Sequence, residues 1–154
     1  MAKTKCGFVG TPGSVDGSAL LVTWGPTLMV DIGFDPAYNG KNLGQIPIPG
    51  IKGIAALVDT GAMESCIDSL LASQLKLPII DRRKVSGVHG SQEVNVYLAQ
   101  VYVPSLNFTQ YGGFAGVHLA AGGQTHRALI GRTFLRYYSM IYEGRTGSVI
   151  LSSD

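Results

Sequence analysis

Short apolar runs rich in branched residues alternate along this chain with turns marked by Gly, Pro, Asn and Asp, a pattern that predicts strands rather than long helices. Thr27–Phe34, Ala55–Val58, Leu98–Val103, Asn107–Thr109, Phe114–Leu119, Ala128–Ile130, Ser139–Tyr142 and Ser148–Leu151 read as strands, and Lys84–Tyr97 as a hairpin with a glycine-rich tip. Two stretches carry helical signals: Asp68–Pro78, where Asp68 is a natural N-cap, Leu71 and Leu75 share a face and Pro78 stops the run, and Arg132–Tyr138. Before them, Leu20–Trp24 reads as a strand closed by a Gly25-Pro26 turn. Residues 1–18, rich in glycine, read as a flexible arm with one short strand at Cys6–Val9. The chain therefore divides into an N-terminal arm, 1–25, and a β domain, 26–154, with an irregular loop inserted at about 35–53. The pattern leaves that loop open to two readings, a border of a binding cleft or a solvated connection.

Composition narrows the class. With 154 residues the chain fits one domain, and only 14% charged residues beside 21 glycines and 7 prolines favour an all-β class of short strands and turns. The net charge of +2 comes from scattered Lys and Arg without a basic stripe, which argues against nucleic acid as a partner. Cys6 and Cys66 form neither a Cys-x-x-Cys nor a Cys/His spacing, so neither a disulfide framework nor a zinc site is expected, and a reduced, cytoplasmic setting is the simpler reading. Lys3 and Lys5 are followed by glycine rather than an apolar core, and Leu20–Phe34 is interrupted by Trp24-Gly25-Pro26 and Asp31. A soluble protein with no membrane partner is expected.

One stretch concentrates the chemistry. Ala55-Ala56-Leu57-Val58 reads as a fully buried strand that delivers Asp59 into Thr60-Gly61-Ala62, a turn of residues too small to cover a carboxylate. Rival kits are missing from the sequence: it contains no Gly-x-Ser-x-Gly, His-Glu-x-x-His or P-loop, and His89, His118 and His126 stand in separate contexts. No metal and no cofactor are expected. Farther on, Ala128-Leu129-Ile130-Gly131-Arg132 repeats the theme of an apolar run ending in glycine, here passing into a helix.

Together the two stretches resemble the halves of a retroviral-type (retropepsin-like) aspartic protease, and the resemblance runs from about Pro26 to Leu151. It implies an all-β, retropepsin-like acid-protease barrel with a flap hairpin and one or two short helices. Because the chain holds one Asp-Thr-Gly, it further implies a homodimer whose subunits each contribute one catalytic Asp59, acting as an endopeptidase on peptide or protein substrates. In that frame Thr60 would bond across the dimer, Gly61 would contact the substrate backbone, and Ala62 would leave room for it. Gly87-Val88-His89-Gly90 would be the flap tip, against the plainer reading of an ordinary hairpin turn. Cys66, Val88 and Leu129 would line side-chain subsites with Arg127 near the rim, although Cys66 and Leu129 also read as plain core. Ile130, Gly131 and Arg132 would form the second signature, Gly131 as a close-packing residue.

The sequence departs from that family at one position. An acid follows Asp-Thr-Gly-Ala in viral members and pairs with the Arg of the second signature; here Met63 takes its place, with Glu64 and Asp68 the nearest acids, so Arg132 needs another partner. Two rival readings stand beside the protease. One is a non-catalytic dimerising or peptide-binding module of the same fold. The other is an unrelated small β-barrel, monomeric, in which Asp59 is dispensable.

Overall fold

A computed structural model of the chain describes residues 2–87 and 90–154. It is built of ten strands, β1 (Lys3–Lys5), β2 (Thr27–Gly33), β3 (Ile51–Val58), β4 (Cys66–Asp68), β5 (Ile79–Gly87), β6 (Gly90–Val103), β7 (Phe108–Val117), β8 (Ala128–Ile130), β9 (Ser139–Glu143) and β10 (Ser148–Ser152). Three short helices, α1 (Gly17–Trp24), α2 (Ser69–Gln74) and α3 (Arg132–Leu135), and a 3-10 turn at Pro104–Leu106 complete it. The all-β reading holds.

Seven strands lie in the order β2-β3-β8-β4-β7-β6-β5, and β2 also pairs with β6. That extra pairing closes six of the strands on themselves and leaves β5 hung on the outside of β6, which removes most free edges from the barrel. The inner faces supply Val30, Ile32, Ala56, Ile67, Ala99 and Val103, none of which reaches solvent. Phe134 of α3 is also wholly buried, edge-on to Phe108 at 5.1 Å and stacked on Tyr138 at 5.2 Å. Phe134→Ala should destabilise the fold by about 3–5 kcal/mol, because the ring leaves a cavity that barrel strands cannot close; urea denaturation measures it.

A second sheet, β1-β10-β9, joins the two ends of the chain. Lys3 lies opposite Ser152 and Lys5 opposite Ile150, so the segment read as a flexible arm is paired into a sheet, with Cys6 buried beyond it. Several of its glycines serve close approach. A Cβ on Gly7 would lie 2.2 Å from the Gly147 carbonyl oxygen, and one on Gly17 2.4 Å from that of Thr146. Leu20–Trp24, expected as a strand, belongs to α1: Asp16 caps the helix by accepting from the Ala19 N–H at 2.7 Å, and the Gly25 N–H donates to the Leu21 carbonyl at its end.

Other boundaries shift for local reasons. Asn107–Thr109 and Phe114–Leu119 are not two strands, since Gly112 and Gly113 between them stay in register opposite Ala99 and Leu98 of β6. A side chain at Gly113 would meet Val96 at 2.9 Å, so this glycine marks crowding inside the sheet rather than a turn. The long loop ends at Ile51 rather than Gly53, and its start is held by a buried pair: the Asp35 N–H donates to Gln100 Oε1 at 2.6 Å, and Gln100 Nε2 donates back to the Asp35 carbonyl at 3.1 Å. The C-terminal helix stops at Leu135, short of Tyr138. No helix among the described residues is long and apolar enough to cross a membrane.

Candidate active site

Asp59 sits where β3 leaves the barrel. The parallel pairing of β3 with β8 places Leu57 beside Leu129 and Val58 beside Ile130, and the next backbone bond runs from the Asp59 N–H to the Ile130 carbonyl at 2.9 Å. The two apolar runs that stood out in the sequence are thus neighbouring strands whose ends meet at Asp59 and Gly131. β3 is not buried on both faces as its composition predicted. Ala56 and Val58 face the core, whereas Leu57 and Asp59, two residues apart and so on one side of the strand, are half-buried on the opposite face. Ala and Val at successive positions fit a strand whose outer face lines a cleft as well as one buried twice.

The turn after Asp59 is braced from within and from α3. Asp59 Oδ1 accepts the Gly61 N–H at 2.9 Å, and the Asp59 carbonyl accepts the Ala62 N–H at 3.2 Å. From the second signature, the Arg132 N–H donates to the Ala62 carbonyl at 2.9 Å, the Thr133 N–H to Met63 at 3.0 Å, and the Gly131 N–H to Ser65 Oγ at 3.0 Å. The guanidinium of Arg132 donates through Nη1 to the Thr60 carbonyl at 2.8 Å. That contact supplies the partner which Met63, exposed and apolar, does not provide. Gly131 packs directly on the turn, since a Cβ there would lie 2.5 Å from the Glu64 carbonyl carbon and oxygen. Ser65, buried and central to this bracing, was not singled out in the sequence, where an isolated serine gives no signal.

Across the outward face, the register aligns Leu57, Leu129, Cys66 and Ala115 in one row over β3, β8, β4 and β7. At the Cys66 end lies a pocket of about 410 Å³, lined on one side by Ala62, Met63, Glu64 and Cys66 and on the other by Arg83–Ser86 of β5. Cys66 therefore lines a pocket rather than the closed core. Burial, with Glu64 and then Asp59 adding negative charge nearby, pushes its thiol up to about 11, so it stays protonated and acts as a small apolar wall. Glu64 and Arg83, neither singled out as a pair in the sequence, form an ion pair that joins the turn to β5 across this pocket.

That pair is two-fifths exposed on both sides and so is worth less than about 1 kcal/mol to global stability. Its effect is local. In Glu64→Ala the midpoint of unfolding should hardly move while amide exchange along Ile79–Gly87 quickens, because a tether between the hairpin and the barrel is gone.

At the Leu57 end, a second pocket of about 390 Å³ is lined by Thr23 and Trp24 of α1, Gly25, Leu57 and Gly123–His126. His126 is buried, with Nε2 at 2.9 Å from Thr27 Oγ1, which also lies 3.0 Å from the Gly25 carbonyl. Burial lowers its pKa, which favours the neutral ring. Arg127, expected at a subsite rim, lines neither pocket. Its Nη1 donates instead to the carbonyls of Gln124, Thr125 and His126, at 2.6, 3.3 and 3.2 Å, and braces the loop that walls this second pocket. Leu129 lies in the row between the pockets without lining either.

The β5–β6 hairpin rises from the first pocket and narrows to the facing pair Gly87 and Gly90, with Gly90 at φ +99°, a conformation that favours glycine. Val88 and His89, the remaining residues of the expected flap tip, lie outside the described residues.

Solved structures to which the chain is similar include two viral proteases. One is the solution structure of Simian Foamy Virus (mac) protease, at 14% identity and a TM-score of 0.45, covering 72% of this chain and 92% of that one. The other is the protease of EIAV complexed with the inhibitor HBY-793, at 16% identity and a TM-score of 0.44, covering 83% and 92%. No protein-family model matches the chain, and no curated protein does.

Proposed function

We propose that the chain is one subunit of a homodimeric aspartic endopeptidase. The observation that carries this reading is the placement of Asp59: a carboxylate at the end of a barrel strand, on the same side as Leu57 and oriented by the Gly61 N–H, with a pocket towards each end of the neighbouring row that begins at Leu57. One such carboxylate can hold or release a proton. Two of them, brought together by a two-fold axis, can do both at once, since like charges at close range favour a state in which the pair shares one proton.

In that state the ionised Asp59 takes a proton from a water molecule as its oxygen attacks the carbonyl carbon of a peptide bond. The protonated Asp59 of the other subunit donates its hydrogen bond to the carbonyl oxygen as negative charge builds there. Collapse of the tetrahedral species breaks the C–N bond, and the leaving nitrogen receives a proton from the pair. Thr60 and Gly61, both exposed beside Asp59, would meet the partner subunit and the substrate backbone respectively. The hairpin ending at Gly87 and Gly90 would cover an extended peptide, whose side chains would enter the two pockets.

Incubating purified protein with a peptide library over a range of pH tests the reading. Cleavage is expected in extended peptides with apolar residues beside the scissile bond, since Leu57, Cys66 and Ala115 present apolar surface there, and the rate should fall on both the acid and alkaline sides. A folded dimer that cleaves nothing would identify the non-catalytic peptide-binding module instead. A strict preference for charged residues at the bond would overturn the pocket assignment.

A further inference from the structure

Part of the surroundings of Asp59 comes from outside the stretch that resembles retroviral-type proteases. Thr23 and Trp24 close α1, Gly25 follows them, and all three precede Pro26, where the resemblance begins; yet they wall the pocket at Leu57. Gly25 brings that wall in. Its φ is +70°, and a Cβ there would lie 2.7 Å from Leu57 Cδ1, so the end of α1 is seated against the leucine side chain. Leu57 precedes Asp59 by two residues on the same side of β3, about 7 Å along the strand. A side chain held in this pocket would therefore belong to a residue near the bond on which Asp59 acts.

The lining differs in kind from that of the pocket at Cys66. There Glu64, Arg83 and Lys84 bring charge; here the apolar surface of Leu57 and the half-exposed indole of Trp24 stand beside polar residues without an acid, a Lys or an Arg. One polar group is unmatched. His126 is 5% exposed, its Nε2 is taken up by Thr27, and its buried Nδ1 has no hydrogen-bond partner. A buried ring nitrogen in that condition is costly, and a bound group that supplies the partner removes the penalty.

We infer that this pocket selects, among the residues flanking the scissile bond, an uncharged side chain with an aromatic body and a hydrogen-bonding end. Tyrosine is its occupant, the ring laid against Trp24 and Leu57 and the hydroxyl meeting His126. The inference rests on the proposed function for the bond that is cut, though not for the contents of the pocket. A hydroxyl both donates and accepts, so it can pair with Nδ1 in either tautomer of the ring. Phenylalanine would cover the same apolar surface and leave Nδ1 unmatched. Aspartate, glutamate and lysine are excluded on other grounds: burial holds the His126 ring neutral, so a charge entering here would lose water without gaining a counter-charge.

Trp24 is the only tryptophan of the chain, so its emission reports occupancy of the pocket without any need for cleavage. Peptides identical except for Tyr, Phe or Glu, walked through the positions around the scissile bond, would be compared by kcat/KM on wild type. Their binding to Asp59→Asn would be followed by Trp24 emission, excited where tyrosine does not absorb. At one position Tyr should exceed Phe about tenfold in both measurements, the effect of one net hydrogen bond, with Glu the poorest. His126→Phe should bring the ratio of Tyr to Phe to about one, whatever its overall rate. Should that variant fail to fold, wild type still decides: cleavage with Tyr and Phe equal at every position overturns the inference and leaves the Asp59 reading standing. Emission that separates Tyr from Phe in a protein that cleaves neither would uphold the pocket and overturn the endopeptidase. Neither cleavage nor a change in emission overturns both.

Discussion

Asp59→Asn should leave a folded dimer that cleaves peptides about 10⁴-fold more slowly than wild type. The substitution keeps the shape of the side chain, and an amide oxygen can still accept the Gly61 N–H that the carboxylate accepts at 2.9 Å. The turn, braced by four bonds from Gly131–Thr133, does not depend on the charge. What is lost is the capacity to take a proton from water and return it. Mixing experiments separate the dyad from a site held within one chain. If subunits exchange at random in an equal mixture, about a quarter of the dimers keep two carboxylates, whereas a site complete in one chain would keep about half the activity. Titrating wild type with the variant and following the initial rate gives the answer. A rate unchanged in Asp59→Asn itself would remove the proposed chemistry altogether.

The parts of the fold that could be read from the chain are those where local chemistry and tertiary position agree. Thr27–Gly33, the Asp68-capped helix, the hairpin converging on Gly87 and Gly90 and the C-terminal hairpin all form where their turn residues and apolar runs place them. So do the two short apolar strands that end at Asp59 and Gly131, although their pairing side by side is visible only in the structure. Misreadings share one cause, which is that composition does not say what a residue faces. Glycine at positions 7, 17 and 113 makes room for neighbouring backbone or side chains, yet in sequence it looks like freedom. Leu20-Leu21-Val22-Thr23-Trp24 has the branched and aromatic content of a strand, and only Asp16, a cap four residues before it, signals a helix.

The site shows the same limit at longer range. The turn that carries Asp59 could be read because its bonds from Asp59 to Gly61 and Ala62 are local in sequence. Glu64 with Arg83, Ser65 with Gly131 and His126 with Thr27 are contacts between distant segments, and no local pattern announces them. Arg127 was expected near a subsite rim from the family resemblance. Its three carbonyl acceptors lie in the three residues just before it, so the guanidinium is held by its own loop.

Gly131→Ala carries the second large expected effect, and it separates packing from chemistry. Gly131 has φ −93° and ψ −174°, which alanine adopts freely, so the substitution strains nothing in its own backbone. The methyl group would instead meet the main chain of Glu64 at 2.5 Å and the Ala62 carbonyl at 3.0 Å. Main chain cannot rotate aside, and these atoms belong to the turn that orients Asp59, so the methyl must push the turn away from β8. Overpacking of this kind should cost about 1–3 kcal/mol of stability, while a displacement of about 1 Å at the carboxylate should lower kcat about a hundredfold. Gly40→Ala, whose methyl would meet only Tyr38 at 3.7 Å, should change neither and serves as the control. Urea denaturation and kcat measured on both variants would show stability and rate falling together in Gly131→Ala. A stable and fully active Gly131→Ala would mean that the turn and the second signature are not in the contact on which the orientation of Asp59 depends.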